Sequence, residues 1–241
     1  MIPYNVYGVV AAETDEQAFA PALLVDRRSS GDLVAIHIRS LIFNGELRQG
    51  DRMRQDEIAQ QLGVSRIPVR EAIIALDREG WLSVTPHRGA FVQGLDEDML
   101  LDHYELQGLV YGLAARRATE RATDEGLERL RDAQRTLAAA TTPEELHEAN
   151  DAFLRVLLAI ARSPRLGSVM RNMATVVPGN FFELVDGSGP VQQRGTKRIV
   201  AAVSSRDPER AAEACARLLR EQGGLVIKLL AARGMFATDV G

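Results

Sequence analysis

The segment from residue 55 to residue 80 has the pattern of two short helices joined by a tight turn. Apolar residues recur at helical spacing on both sides of Gly63: Ile58, Ala59, Leu62, Val69, Ala72, Ile73 and Leu76. Packing these two stripes together leaves the start of the second helix facing outward. Ser65 is a suitable N-cap for that helix, and Pro68 near its start costs little because the first-turn N–H groups lack intrahelical partners. The pattern predicts a helix-turn-helix.

Two arginines lie on the outward-facing start of the second predicted helix. Arg66 and Arg70 are four residues apart, so they share a face. An arginine in this place can bind backbone phosphates or pair with the O6 and N7 atoms of guanine. The pair therefore favours a helix that enters the major groove of DNA. Helix pairs with arginines also occur in purely structural roles, which is the alternative interpretation.

A change of period after Gly80 predicts a β-hairpin. Residues 81–84 and 90–92 have the pattern of short strands, and the residues between them include the turn formers Pro86 and Gly89. This hairpin would hold Arg88 at its tip, where the side chain can reach the DNA backbone or the minor groove. Helix-turn-helix and hairpin together predict a winged reading head.

The segment from residue 33 to residue 92 resembles the winged helix-turn-helix of the GntR family of bacterial transcription regulators. The resemblance rests on residues 42–45, 50–51, 58–59, 62–66, 68–72, 76, 79–80 and 88–92. It implies a double-stranded DNA operator as partner, contacted by Ser65, Arg66, Ile67, Pro68, Arg70, His87, Arg88 and Gly89. Asp56 stands where some members have a basic residue, so we expect altered operator choice, with Arg52 and Arg54 as substitute phosphate contacts.

From residue 96 onward the sequence predicts about six amphipathic helices. The first covers about 96–121, and Met99, Leu100, Leu106, Leu109, Val110 and Leu113 form its apolar side. Capping signals at 123–125, 142–145 and 207–209 begin the second, third and last helices. Further helices are predicted at about 166–177 and 191–205, with a loop at 186–190, and a last helix runs from 207 to 233. The glycines at 223 and 224 should weaken that last helix by about 1 kcal/mol each.

This half resembles the FCD domain, the effector-binding helical bundle of the FadR-type branch of the GntR family. The resemblance rests on residues 104–106, 112–115, 150–153, 163–166, 199–202 and 207–211. The predicted fold class is therefore mainly α, with an arm at 1–30, a winged helix-turn-helix at 31–93, an all-α domain at 96–233 and a tail at 234–241. The resemblance also implies a homodimer.

Many members of that branch bind a divalent metal in the bundle through an Asp or Asn and three histidines. The matching positions here are Asn150, Leu154, Thr196 and Leu218. Because leucine has no donor atom, we expect neither a metal nor any other cofactor. His147 and Asp151 are four residues apart, but they are expected to form only a surface pair, and His103 is interpreted in the same way.

Two further positions suggest the chemistry of the effector. Gln107 stands where the family often has arginine, and Tyr111 where it often has glutamate. Losing both the arginine and the metal argues for a neutral or weakly polar small molecule, since these are the usual groups that bind a carboxylate. The predicted effector-binding residues are Gln107, Tyr111, Asn150, Leu154, Thr196 and Leu218. The alternative is a cavity that has filled in and binds nothing.

The composition is compatible with two less favoured functions, an interaction module and an enzyme. The net charge of −4 means that DNA affinity must come from the placement of arginines, not from bulk charge. A helical interaction module that has lost DNA binding therefore stays an alternative. An enzyme is not expected, because Cys215 has no histidine at helical spacing and no phosphate-cradling glycine loop is present. The single cysteine, and the lack of a stretch long enough to cross a membrane, favour the cytoplasm.

Overall fold

A computed structural model describes residues 29–93, 96–173, 177 and 179–236. The predicted mainly α fold is confirmed, with one two-stranded hairpin between two groups of helices. The predicted arm at 1–30 lies almost wholly outside the described residues, as do residues 237–241 of the predicted tail. None of the helices in the described ranges is long and apolar enough to traverse a lipid bilayer.

The N-terminal region begins with three helices. Helix α1 covers Ser30–Phe43, α2 covers Gln55–Leu62 and α3 covers Arg66–Arg78. A reciprocal capping box between Ser29 and Asp32 starts α1. Gly63 ends α2 in the left-handed conformation, at a φ of 63° that glycine adopts without strain. The predicted helix-turn-helix is therefore confirmed, with the apolar face of α3 buried against α1 and α2.

The wing is an antiparallel hairpin of β1 (Leu82–Thr85) and β2 (Gly89–Val92), as predicted. Its register pairs Thr85 with Gly89, and the turn between them is closed by the Arg88 N–H, which donates to the Thr85 carbonyl at 3.1 Å. The Asp77 carboxylate on α3 accepts a hydrogen bond from the Val84 N–H at 2.8 Å. This bond ties the wing directly to the predicted reading helix.

The C-terminal region contains seven helices within its described residues. They are α4 (Glu97–Arg121), α5 (Asp124–Ala139), α6 (Pro143–Ala161), α7 (Pro164–Asn172), α8 (Phe181–Leu184), α9 (Ser188–Ser204) and α10 (Pro208–Ala232). The caps predicted at Thr123, Thr142 and Asp207 each accept the expected backbone N–H. The predicted loop at 186–190 was wrong in part, because Ser188, Gly189 and Pro190 form the first turn of α9. The short α8 is the helix that the sequence pattern did not predict.

Small residues set the packing of α4 against α10. A Cβ on Gly108 would lie 3.1 Å from the Cα of Ala216, and one on Gly112 would lie 3.0 Å from the Ala212 carbonyl oxygen. The two helix backbones therefore approach closely along this seam. Helix α10 continues without a break through Gly223 and Gly224, and Gly223 makes room for the ring of Tyr104. The predicted energetic cost of the two glycines stays a prediction.

The apolar side predicted for α4 is only partly correct. Leu100 is fully buried, but Leu106, Leu109 and Leu113 are 56%, 63% and 37% exposed. The physical reason is the glycine and alanine seam, since the face that packs on α10 is the one whose small residues permit close approach. Three leucines at helical spacing are left on the opposite, outer face of α4.

The two regions share one hydrophobic cluster. It includes Trp81 from the reading head, Leu100 and Tyr104 from α4, and Val226 and Leu230 from α10. The end of α10 also contacts the end of α1, where the Arg233 guanidinium lies 4.6 Å from the centre of the Phe43 ring and Nη1 donates to the Phe43 carbonyl at 3.1 Å. The reading head, which comprises α1, α2, α3 and the wing, thus packs on α4 and α10, the first and last helices of the bundle.

Candidate functional sites

The start of α3 is exposed, as a DNA-reading helix requires. Ile67 is 69% exposed, and the side chains of Arg66 and Arg70 are also exposed. Ser65 stands at the N-cap position with an extended backbone, but its hydroxyl makes no capping hydrogen bond. The predicted N-cap position is therefore correct, although the side-chain hydrogen bond that usually accompanies it is absent. Ser65 is exposed to solvent, and its hydroxyl forms no hydrogen bond with the α3 backbone.

Two of the predicted DNA-contacting arginines already have carboxylate partners. Arg66 Nε lies 2.7 Å from Asp56 Oδ1, and Arg54 Nη1 lies 2.8 Å from Glu57 Oε1. The pair with Glu57 raises the pKa of Arg54. Asp56 therefore does more than replace a basic residue, because it neutralises a neighbouring arginine on the same surface. Both ion pairs are exposed, and pairs of this kind contribute little to stability.

Other predicted contacts are free of such pairs. Among the described residues, Arg70 and Arg88 have no carboxylate within ion-pair distance. His87 at the wing tip has a φ of 61°, an uncommon conformation for a residue with a side chain. Arg52 lies next to the hairpin. A Cβ added at Gly89 would lie 3.3 Å from the Arg52 Nε atom. Gly89 thus lacks the Cβ that would crowd the Arg52 guanidinium.

A cavity of about 250 Å³ lies among α4, α6, α9 and α10, with the α8 segment at one side. All six predicted effector-binding residues line it: Gln107, Tyr111, Asn150, Leu154, Thr196 and Leu218. They come together because each helix presents residues at intervals of three or four to the same space. The cavity is not filled in, which was the alternative interpretation of this region.

The four positions that match the family's metal site do meet in this cavity, but their chemistry does not suit a metal. The Asn150 Oδ1 atom accepts a hydrogen bond from Gln192 Nε2 at 2.6 Å. The Thr196 hydroxyl donates to main-chain carbonyls of its own helix, that of Gln192 at 3.0 Å among them. Leu218 fills the space beside Gly195, where an added Cβ would lie 2.4 Å from its Cδ1. Two leucines and two engaged oxygens do not fit a divalent ion.

The polar lining residues that the sequence did not assign to the cavity include Gln192, Gln222 and His103. Gln192 joins Asn150 to Gln222, whose Nε2 donates to Gln192 Oε1 and to the Ser188 carbonyl, both at 3.2 Å. His103, interpreted as a surface residue, lines the cavity instead, and burial lowers its pKa. Helical spacing was the available signal, since Gln192 precedes Thr196 by four residues and Gln222 follows Leu218 by four.

Burial keeps two ionisable groups of the cavity lining, Tyr111 and Cys215, neutral. Burial raises the pKa of Tyr111 to about 12, with smaller contributions from Asp151 and Cys215. Burial also raises the pKa of the Cys215 thiol to about 12, as fits a structural cysteine. At the cavity edge, His147 and Asp151 are both about half exposed, with 3.9 Å between Nε2 and Oδ2. The two residues are exposed as the sequence predicts, but both also line the cavity, which the sequence did not predict.

Two family profiles cover most of the chain. The profile described as "Bacterial regulatory proteins, gntR family" matches residues 32–92, and the profile of the FCD domain matches residues 102–221. An uncharacterized HTH-type transcriptional regulator of Mycobacterium tuberculosis is 34% identical over 184 residues, which cover 76% of this chain and 75% of that protein. The Nta operon transcriptional regulator of Aminobacter aminovorans is 33% identical over 129 residues, covering 53% and 61%.

Solved structures have the same fold at lower identity. E. coli McbR/YncC superposes with a TM-score of 0.56 at 21% identity, over 86% of this chain and 99% of that one. A GntR family transcriptional regulator from Pseudomonas syringae superposes with a TM-score of 0.52 at 24% identity, over 85% and 87%. At these identities the likeness establishes the architecture.

Proposed function

This chain belongs to the GntR family of bacterial regulatory proteins, in the branch with an FCD domain, and we propose that it is a dimeric repressor whose operator binding is modulated by a small, uncharged effector. It is a DNA-binding transcription regulator and not an enzyme. The observation that carries the proposal is the exposed start of α3 beside the wing, where Arg66, Ile67, Arg70 and Arg88 all face solvent.

The proposed DNA contacts divide into two kinds. Arg66 and Arg70 at the start of α3 would enter the major groove, where an arginine can pair with guanine. Ser65 and Pro68 lie on the same first turns of α3. At the wing, His87, Arg88 and Gly89 would contact the backbone or the minor groove, as would Arg52 and Arg54 at the phosphates; such contacts position the protein without reading sequence.

A second copy of the chain is the proposed partner of the outer face of α4. Leu106, Leu109 and Leu113 lie three and four residues apart and are exposed in the single chain. A stripe of this kind is typical of a helix that packs against another subunit. A two-fold dimer would present two reading heads to two half-sites, which offsets the nearly balanced charge of each head.

Occupancy of the cavity would be transmitted through residues shared with the reading head. Tyr104, Val177 and Phe181 line the cavity and also belong to, or pack against, the hydrophobic cluster that includes Trp81. An effector that favours one arrangement of this cluster would favour one spacing of the two heads. Mismatch with the half-site spacing would then release the operator.

The operator test is fluorescence anisotropy with DNA from the region upstream of the regulator's own gene, over a range of salt concentrations. Wild-type protein is expected to bind tightly and selectively, and Arg66→Ala/Arg70→Ala is expected to lose about 100-fold or more in affinity, since each base contact contributes about 1–3 kcal/mol. The matched control is Arg217→Ala/Arg220→Ala, which removes two exposed, ion-paired arginines from α10.

The ion pair between Asp56 and Arg66 favours a second candidate function, an interaction module without DNA binding. If wild type bound the upstream DNA no better than random DNA, selection from a random library would follow. Failure of that selection too would leave the interaction module as the better interpretation.

The dimer is tested separately by analytical ultracentrifugation. Leu106→Glu/Leu109→Glu should convert a dimer to a monomer, because it places charges in the proposed interface. Leu33→Glu alters another exposed leucine, on α1, and should leave the dimer unchanged. A wild-type monomer at micromolar concentration would contradict the proposed assembly.

A further inference from the structure

The polar atoms of the cavity fall into two groups, those already satisfied and those without a partner. Asn150, Gln192 and Thr196 use oxygen atoms in hydrogen bonds to other residues of the protein. Within the described residues, Gln222 Oε1 and His103 Nε2 are buried and have no partner. Both residues line the cavity, and Gln222 is only 4% exposed. A buried polar atom without a partner is costly, so a ligand that supplies one is favoured.

The free atom of Gln222 determines what the ligand must offer. Both N–H groups of the Gln222 amide are directed to protein acceptors, at Ser188 and Gln192, which fixes the orientation of the side chain. The remaining Oε1 is an acceptor only. The ligand must therefore donate a hydrogen bond to it. His103 is compatible with this, because its lowered pKa leaves a neutral imidazole that can accept or donate.

The charges around the cavity oppose an anionic ligand. No lysine or arginine lines it among the residues that the structure describes, and the Asp151 carboxylate lies at its edge beside His147. Its walls are instead largely apolar, with Phe153, Leu154, Phe181 and Leu218 among them. Moving a carboxylate from water into such surroundings is costly unless a cation or a metal compensates. Tyr111, neutral at physiological pH, can donate one hydrogen bond but supplies no charge.

We infer that the cavity binds an uncharged ligand that carries a hydrogen-bond donor on a small apolar skeleton, recognised through Gln222 Oε1 and His103 Nε2. A carboxamide, urea or alcohol has this chemistry. The ligand is small, because the cavity of about 250 Å³ lies below the usual range for drug-sized ligands. This inference rests on the proposed function of the cavity as the effector site, and it assigns recognition to two residues that the family's metal site does not use.

The test compares small probes of one shape in three chemical forms. A panel of phenyl and branched-alkyl carboxamides is paired with the carboxylate and the methyl ester of each skeleton, and binding to the full chain is measured by thermal shift and by ligand-observed NMR. Carboxamides are expected to bind, and the matched carboxylates and esters to bind about tenfold or more weakly. Zinc alone, as a further probe, should not raise the melting temperature.

Two variants assign the preference to the named atoms. Gln222→Leu should bind the carboxamides about tenfold more weakly and lose the preference over the esters. If Gln222→Leu does not fold, the same carboxamide affinities are measured with His103→Phe. Gln134→Leu is the matched control, since Gln134 is partly buried on α5 and does not line the cavity.

Preferential binding of carboxylates, stabilisation by zinc, unchanged carboxamide affinity in both variants, or no carboxamide binding at all would each overturn the inference. Operator binding by the ligand-free protein is measured in parallel. Its presence in any of these cases would show that the regulator stands and that only the assigned ligand class is wrong. Its absence would point to failure of the proposed function itself.

Discussion

The reading head and the helical bundle arrange their polar groups in opposite ways. In the head, arginines stand in solvent and form exposed ion pairs, such as that of Arg66 with Asp56. In the bundle, the cavity is lined mainly by apolar side chains, amides, phenols and imidazoles, with the Asp151 carboxylate at its edge, and burial holds Tyr111 neutral. The reading head suits a hydrated polyanion such as DNA, whereas the cavity suits a small molecule that loses its hydration on binding. Charge therefore identifies the first site, whereas unsatisfied hydrogen bonds identify the second.

This contrast predicts that the two regions respond to different perturbations. DNA binding by the head should be sensitive to salt, since the proposed contacts include phosphates, and the stability of the head should tolerate exposed substitutions. The bundle should be sensitive to volume and to the ionisation of buried groups, because its interior is closely packed.

Close packing in the bundle is tested with two adjacent glycines. Gly223→Ala should destabilise the protein by about 1–3 kcal/mol, because the new Cβ would lie 2.7 Å from Tyr104 Cγ. Gly224→Ala should instead stabilise it by about 0.5–1 kcal/mol, since nothing lies within 4 Å of that Cβ and alanine favours the helix. Urea denaturation measures both. Equal effects of the two substitutions would show that the Tyr104 contact does not constrain α10.

Alkaline pH is expected to destabilise the bundle. Between about pH 9 and pH 12 the unfolded chain loses the protons of Cys215 and Tyr111, whereas the folded protein retains them because burial raises both pKa values. The unfolded state then binds fewer protons, so the free energy of unfolding falls as pH rises, by up to about 1.4 kcal/mol per pH unit for each group. Urea denaturation of Cys215→Ala and Tyr111→Phe across this range should show a shallower fall. A slope unchanged in both variants would contradict the explanation.

Arg88 tests whether the wing positions the DNA or reads it. Arg88→Ala should weaken binding to the operator and to unrelated DNA by a similar factor, about tenfold or less, and should reduce the salt slope by about 1. Anisotropy titrations at several salt concentrations measure both quantities. Arg70→Ala is the comparison, because it should reduce the operator preference itself. Loss of selectivity in Arg88→Ala would instead assign base reading to the wing.

Asp56 gives the smallest expected change, and in the opposite direction. Asp56→Asn removes the partner of Arg66 and should strengthen operator binding by about threefold to fivefold, since an exposed pair contributes little. Asp132→Asn, which removes the exposed partner of Arg135 on α5, should leave DNA binding unchanged. Weaker binding by Asp56→Asn would mean that the carboxylate itself contributes to operator recognition.

The sequence predicted the reading head almost completely because its signals are local. The turn at Gly63, the apolar residues of α3 and the Pro86 turn each act over a few residues. The ion pair of Asp56 with Arg66 was not predictable in the same way. It joins the first turns of two different helices, so it depends on how those helices cross.

The bundle was predictable in its helices and less so in their contacts. Caps such as Thr142 and Asp207 were correct because a cap depends on its own turn. Which face of α4 is buried depends on a partner far along the chain, so Leu106 and Leu109 were assigned to the wrong environment. The sequence likewise presented Gly223 only as a weak point of α10. Its contact with the Tyr104 ring becomes visible only when α4 and α10 are placed together.

The last helix, α10, runs without a break from the cavity to the reading head. Leu218 and Gln222 line the cavity from the middle of α10, and Arg233 at its end holds the Phe43 ring and carbonyl of α1. At a rise of 1.5 Å per residue, about 22 Å of helix separates Leu218 from Arg233. A tilt of about 5° at the cavity would then move the far end by about 2 Å. In mechanical terms α10 would act as a lever, since the proposed effector would move the far end of the helix by more than it moves Leu218.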